Sequence, residues 1–272
     1  MNTNLFEQRV LPHHQTPASI WGQGGSAYDD ISFGICDALA HTAQRLSAKP
    51  KEQVLDVATG TGWSARNVAR SGAEVTGVDI SPALLAAAQD LSAHVRPVIR
   101  FELGDAERLP FADGRFDAAI STFGVIFAQD QERAALELGR VLRKGGRVAL
   151  ATWPPSGSVA EFLAVIARHS NTPPPRVSPL SWGEPGHVES LLGRDFELSF
   201  EHGVNHAYHP DPTHIWDKYA LGFGPLRQLI GSLDAAQLGA LRADVDAYHQ
   251  AFATAVGLHV RREYVIILGR RR

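Results

Sequence analysis

The stretch Val54-Leu55-Asp56-Val57-Ala58-Thr59-Gly60-Thr61-Gly62 reads as a short apolar strand running directly into a glycine loop. A strand that turns sharply into a helix while its backbone approaches a ligand needs residues without a side chain, and Gly60 and Gly62 stand where that turn falls. The spacing Gly60-x-Gly62-x-x-Ala65 fits a fingerprint used for dinucleotides, with alanine in the third place. A second strand, Glu74-Val75-Thr76-Gly77-Val78-Asp79, ends on a carboxylate placed to accept hydrogen bonds from both hydroxyls of a ribose. Together these features point to an adenosine-containing ligand without separating a nicotinamide dinucleotide from S-adenosylmethionine.

Working outward, strand-like and helix-like runs alternate between residues 53 and 153, the rhythm of a parallel sheet with covering helices. Helices are expected over 64–71, over 83–92 behind Ser81-Pro82, and over 131–142; strands over 98–103, 116–121 and 147–153. Beyond Trp153 the pattern loosens into a helix at 158–169, a proline-rich loop at 171–179 and a helix at 185–192. Strands are then expected at 196–204 and 263–269. Between those strands, helical periodicity over 214–230, broken at Gly222-Phe223-Gly224-Pro225, and over 234–256 reads as an inserted helical cap. Upstream, residues to Ala27 are polar and glycine-rich, and 30–47 reads as a helix entering the first strand. This divides the chain into an N-terminal helical lid at 1–50, a core at 51–204, an insertion at 205–260, and a last strand with basic tail at 261–272.

Three later segments separate the two ligand readings. Leu103-Gly104-Asp105-Ala106-Glu107-Arg108-Leu109-Pro110-Phe111 puts an acid where an adenine edge would lie. Phe116-Asp117-Ala118-Ala119-Ile120-Ser121 and Leu142-Arg143-Lys144-Gly145-Gly146-Arg147-Val148-Ala149-Leu150 continue the series. The ordered set resembles the class I S-adenosylmethionine-dependent methyltransferases, particularly the group related to ubiquinone/menaquinone C-methyltransferases, over residues 50–153. Trp182-Gly183-Glu184-Pro185-Gly186, Gly222-Phe223-Gly224-Pro225-Leu226 and Arg262-Glu263-Tyr264 look like a broad set of bacterial methyltransferases. The resemblance implies an α/β, Rossmann-like, seven-stranded and mostly parallel sheet, with a helical cap before the last strand.

It also implies roles. Asp56 would orient the methionine amino end; Ala58, Gly60 and Gly62 would pass beneath methionine and ribose. Asp79 would hold the ribose hydroxyls with Ile80 against the adenine, and Asp105 would accept from the adenine amino group with Ala106 beside it. Ser121 and Thr122 would border the methionine moiety and the methyl exit. Ala58 departs from the usual glycine at the start of the loop. The implied cofactor is S-adenosylmethionine, leaving S-adenosylhomocysteine, with no metal.

A sulfonium already makes its methyl group electrophilic, so in-line displacement asks mainly for alignment and exclusion of water. An oxygen or carbon nucleophile also needs a base; His13, His14, His169 and His206 are candidates without a motif behind them, and no catalytic residue is assigned. Trp21, Tyr28, Phe33, Phe123 and Phe127, with His206, are candidate acceptor-pocket residues, the aromatics able to embrace a sulfonium by cation–π contact. The expected acceptor is a small molecule. An NAD(P)-dependent oxidoreductase would need nicotinamide contacts and a Tyr-x-x-x-Lys pair, which the sequence lacks; a non-catalytic S-adenosylmethionine binder is the other alternative.

Composition narrows the partners. The 272 residues carry a formal net charge of −3, with 44% hydrophobic and 20% charged residues, so neither nucleic acid nor anionic lipid is favoured. The arginines at 261, 262 and 270–272 form only a local cluster. No run approaches the roughly 18 apolar residues of a membrane span, and residues 1–12 lack the pattern of a signal peptide. One cysteine, Cys36, excludes an internal disulfide and suits a reducing compartment, so a cytoplasmic location is expected. His202, His206 and His209 are too loosely spaced to read as a metal site. A homodimer is left open.

Overall fold

A computed structural model describes residues 3–272; the reading of Met1 and Asn2, in both the lid and the leader argument, lies outside them. The elements run α1 (Thr3–Arg9), α2 (Pro12–Gly22), α3 (Tyr28–Phe33), α4 (Cys36–Leu46), β1 (Gln53–Val57), α5 (Trp63–Ala69), β2 (Glu74–Asp79), α6 (Pro82–Leu91), β3 (Arg100–Leu103) and β4 (Phe116–Thr122). They continue as α7 (Gln131–Val141), β5 (Leu142–Thr152), α8 (Ser158–Ala167), α9 (Pro185–Leu192), β6 (Phe196–His209), α10 (Pro212–Gly222), α11 (Gly224–Ser232), α12 (Ala235–Gln250), β7 (Ala253–Thr254) and β8 (Gly257–Arg271).

The main sheet has the order β3-β2-β1-β4-β5-β8-β6, with the two-residue β7 paired on β8. From β3 through β5 every pairing is parallel; β8 runs antiparallel to both β5 and β6. Neighbouring residues within a strand feed different cores. Leu55, Val57, Ala119, Val148 and Leu150 enter one cluster, and Val54, Ala118, Ile120 and Ala149 the other. Both faces are therefore covered, which is why these strands read as unbroken Val/Ile/Leu/Ala runs. Helix starts follow the local chemistry: the Ser81 hydroxyl accepts from the Leu84 amide with Pro82 behind it, and the Asp130 carboxylate accepts from the Arg133 amide.

Several boundaries differ from the sequence reading. Within the segment expected as a helical lid, the polar stretch forms α1 and α2, and the helix expected over 30–47 is two helices separated at Gly34-Ile35. The glycine turn at 145–146 lies inside β5, which begins at Leu142, with a register irregularity between Phe116 and Ala118. The last two long strands exceed expectation. β6 and β8 pair from Phe196↔Arg271 to His209↔Leu258, whereas β5 reaches β8 only between Val265 and Arg270. The remainder is a two-stranded ribbon whose polar, histidine-bearing sequence hides its period. As a result β6 takes in residues 205–209, Arg270 and Arg271 belong to β8, and the helices between the strands start at Pro212. Those helices, with α8, form a core of their own around Val165, Leu226, Leu229, Leu241 and Val245. Among the described residues, no helix is long and apolar enough to cross a membrane.

Candidate functional site

The carboxyl ends of β1, β2 and β4 open into a cavity lined by Ala58, Thr59, Gly60, Asp79, Ile80, Gly104-Asp105-Ala106 and Thr122. Ala58 (φ 55°) and Gly60 (φ 56°) both take left-handed backbone. For alanine that conformation costs on the order of 1 kcal/mol, and the surroundings show what retains it. A Cβ on Gly124 would stand 2.5 Å from the Ala58 Cβ. The methyl group that Ala58 brings thus requires a glycine in the loop after β4.

Asp79 is buried and its two oxygens accept from the Gly60 amide (2.9 Å) and the Ser81 amide (2.9 Å). Burial pushes its pKa up to about 6, against those hydrogen bonds. Each oxygen keeps a lone pair, so the carboxylate can still receive ribose hydroxyls. Asp56 lies behind the loop: Oδ2 accepts from the Thr59 hydroxyl at 2.6 Å, while Oδ1 is buried without a partner. Burial, with the Asp79 charge adding to it, raises its pKa to about 7. The Trp63 indole Nε1 is likewise buried and unpartnered, and Trp63 lines the cavity. A glycine-lined floor, an acid with spare acceptor capacity and an orphaned donor on the wall fit a nucleoside carrying an amino-acid tail.

Over the Asp105 end lies α2. Asp105 Oδ2 receives the Leu11 amide (3.0 Å) and His14 Nδ1 (2.8 Å), and Oδ1 receives the Glu107 amide (3.0 Å). His14 Nε2 is 3.2 Å from Glu107 Oε1, and His13 Nε2 is 2.8 Å from Glu107 Oε2. Burial opposes charge on His14, but the two carboxylates win and raise its pKa to about 9; Glu107, also buried, is lowered to about 2. The side-chain atoms of His13, His14 and Glu107 fall within 4.8 Å of one another, and together they latch α2 to the loop after β3. The sequence reading missed the latch because its partners stand some ninety residues apart.

A second chamber adjoins the first; Trp21, Tyr28, Ile35, Phe123 and Phe127 line both. Phe123, itself at φ 57°, stacks on Trp153 with centroids 3.8 Å apart, and Trp21 leans on Phe127 at 5.0 Å. These side chains form an aromatic collar between the chambers. Beyond it the walls are Val159, Phe162, Tyr219, Phe223 and Tyr248, with His249 and Arg262. His249 Nδ1 donates to the Val245 carbonyl (2.8 Å), which leaves Nε2 as the ring's other nitrogen; burial lowers its pKa, favouring the neutral ring. No sequence motif marked this imidazole in the chamber wall.

Several predicted site residues take other places. Phe33 is 62% exposed with the Lys218 ammonium over its ring, and lines neither chamber, because the turn after α3 directs it outward. His206 is on the exposed ribbon, bonded to His259 at 2.8 Å and outside both chambers. The Ser121 hydroxyl donates to the Val57 carbonyl (2.7 Å) and accepts the Val125 amide (3.0 Å), fastening β4 to β1 instead of facing the cavity. Asp56 and Gly62 support the loop from behind, Gly62 at φ 85° backed by the Phe101 ring. Of the candidate bases, His13 and His14 belong to the latch, and His169 bonds Asp244 at 2.9 Å.

Comparison with known proteins bears on this geometry. Residues 55–150 match the family model described as "Methyltransferase domain". Those residues form a domain of the S-adenosylmethionine-dependent methyltransferase family. An uncharacterised protein of Mycobacterium tuberculosis is 38% identical over 142 residues, 52% of this chain and 52% of its own length. A demethylmenaquinone methyltransferase of Deinococcus radiodurans is 38% identical over 152 residues, 55% of this chain and 59% of its own. The chain spans about half the length of the curated relatives it matches. Among solved structures, the YcgJ protein from Bacillus subtilis superposes with a TM-score of 0.59 at 20% identity, covering 87% of this chain and 98% of that one. A Haemonchus contortus phosphoethanolamine N-methyltransferase, in complex with phosphomonomethylethanolamine and S-adenosylhomocysteine, gives 0.55 at 16% identity, covering 86% and 52%. These likenesses show the fold of the methyltransferase domain, the class I α/β sheet.

Proposed function

We propose that this chain transfers a methyl group from S-adenosylmethionine to a small, partly apolar acceptor by direct in-line displacement. One observation carries the reading: a cavity with nucleoside-binding chemistry meets an aromatic chamber through a shared collar. When bound, S-adenosylmethionine supplies an electrophilic methyl group. The chain's own residues do the rest. Asp79 and the amides around Gly60 bind, Asp56 orients through Oδ1, and Asp105 and Ala106 meet the adenine beneath the α2 latch. Thr122 borders the methyl exit, and Trp21, Tyr28, Phe123 and Phe127 exclude water and shape the line of approach. His249 is placed to take a proton from an acidic acceptor hydroxyl. Helices α2 and α3 and the helices within 205–260 close over the acceptor, and a chamber walled in this way suits a small molecule better than a polymer.

The test is production of S-adenosylhomocysteine from S-adenosylmethionine by the full chain against a panel of flat hydroxylated, carboxylated and amino-substituted aromatics. Acceptor-dependent product is expected. Tight cofactor binding with no turnover on any member would favour the non-catalytic binder, and binding of NADH in its place the oxidoreductase.

A further inference from the structure

Along β8, residues 258, 260, 262 and 264 point inward, and at three of these positions the residue is Leu, Val or Tyr. At the other it is Arg262, 7% exposed and lining the second chamber only. Its guanidinium donates to the Tyr219 hydroxyl (2.8 Å) and the Gly34 carbonyl (3.3 Å), both neutral acceptors. Among the described residues, the arginine ion pairs involve other arginines and none involves Arg262. A buried cation without a carboxylate is costly, and hydrogen bonds to neutral groups offset only part of that cost.

The surroundings add positive charge. A methyl group on Gly34 would stand 3.3 Å from Lys218 Nζ and 3.7 Å from an Arg262 terminal nitrogen, so the two cations flank one spot. Asp30, the acid that acts on Lys218, is exposed. His209 and His249 are both pushed toward the neutral form, by burial first and then by the Arg262 charge. The chamber therefore combines flat aromatic walls with an unneutralised cation.

We infer that the second chamber receives an acceptor with a flat aromatic body and an anionic oxygen group, carboxylate or phenolate, bound by the Arg262 guanidinium. This rests on the methyltransferase reading for the word acceptor, though the binding itself does not. A guanidinium offers a planar pair of donors that matches two carboxylate oxygens. Because Arg262 is absent from the cofactor cavity, it anchors the acceptor from the side away from the reacting methyl group.

The probes are 2-naphthoate and its neutral amide, 2-naphthamide, titrated into the full chain saturated with S-adenosylhomocysteine. Fluorescence of Trp21 and Trp153 at the collar provides the readout. Naphthoate is expected to bind about tenfold or more tightly than the amide. Arg262→Gln should erase the difference by weakening naphthoate alone, Arg262→Lys should restore part of it, and both should bind S-adenosylhomocysteine as before. Equal affinities in the unaltered chain, or binding of neither probe, overturn the inference without any variant having to fold; so does a preference that survives in Arg262→Gln. A purely structural arginine would leave naphthoate and naphthamide indistinguishable. Loss of S-adenosylhomocysteine binding with the naphthoate preference intact, measured without cofactor, would sink the methyltransferase reading alone.

Discussion

The two chambers are assembled in different ways. The floor of the first comes from loops that each follow directly on a strand: 58–64 after β1, 79–80 after β2, 104–106 after β3 and 122–128 after β4. The second takes its wall from α2, α3, the loop after β4, α8, α10, α12 and β8. In a parallel sheet the strand ends are fixed by local pattern, so a site built there is set by short stretches of sequence. A chamber roofed by helices from both termini depends on packing between residues more than two hundred positions apart. The first chamber is also gripped by carboxylates, the second by rings and one guanidinium, and this contrast can be broken experimentally.

The largest effect is expected at the latch. His14→Ala leaves Asp105 and Glu107 facing one another beneath α2, and should lower unfolding free energy by about 3 kcal/mol, measured by urea denaturation of the ligand-free chain. A change below about 0.5 kcal/mol would mean that α2 is held by apolar contacts alone. Next is Asp79→Ala, which should weaken S-adenosylhomocysteine by about tenfold or more, since a charge-assisted hydrogen bond contributes roughly 1.5–3 kcal/mol. Naphthoate binding in the second chamber should stay the same. Unchanged cofactor affinity in a folded variant would remove Asp79 from the site.

The latch also has a pH signature. With its pKa raised from 6.5 to about 9, His14 contributes fully below about 6.5, and that contribution is lost as pH rises through 9. Glu107, lowered from 4.5 to about 2, contributes fully above 4.5 and is lost as pH falls through 2. His14→Ala should flatten the alkaline limb of a stability–pH curve; an unaltered limb would assign it to other groups. The smallest effects belong to Phe33→Ala and His206→Ala. Both lie outside the chambers, so stability should shift by less than about 0.5 kcal/mol and binding of either ligand should not change.

Much of the first chamber was legible because each signal is local. The Asp56–Gly62 run, Asp79 and the Gly104-Asp105-Ala106 loop fall where the strand pattern put them. Ser121 shows the limit: its position at the end of β4 was readable, but not that its hydroxyl would be used up fastening β1. Phe33 misled because an aromatic residue carries no record of which way a short helix turns. His249 and Arg262 went unassigned for the opposite reason. No motif surrounds His249, the Arg262-Glu263-Tyr264 stretch carries a resemblance without a role, and only folding brings Phe162, Tyr219 and Gly34 around them. The lengths of β6 and β8 were missed because His206, His209, Arg261 and Arg262 interrupt the apolar alternation where the two strands run on past β5.

The cofactor-binding expectations all require the cavity at the ends of β1 and β2 to hold S-adenosylmethionine. Calorimetric titration of the full chain with S-adenosylhomocysteine, and separately with NADH, tests it most directly. One saturable site for S-adenosylhomocysteine is expected, weakened in Asp79→Ala, with no heat from NADH. A folded chain that gave no heat with S-adenosylhomocysteine, or that bound NADH in its place, would contradict it.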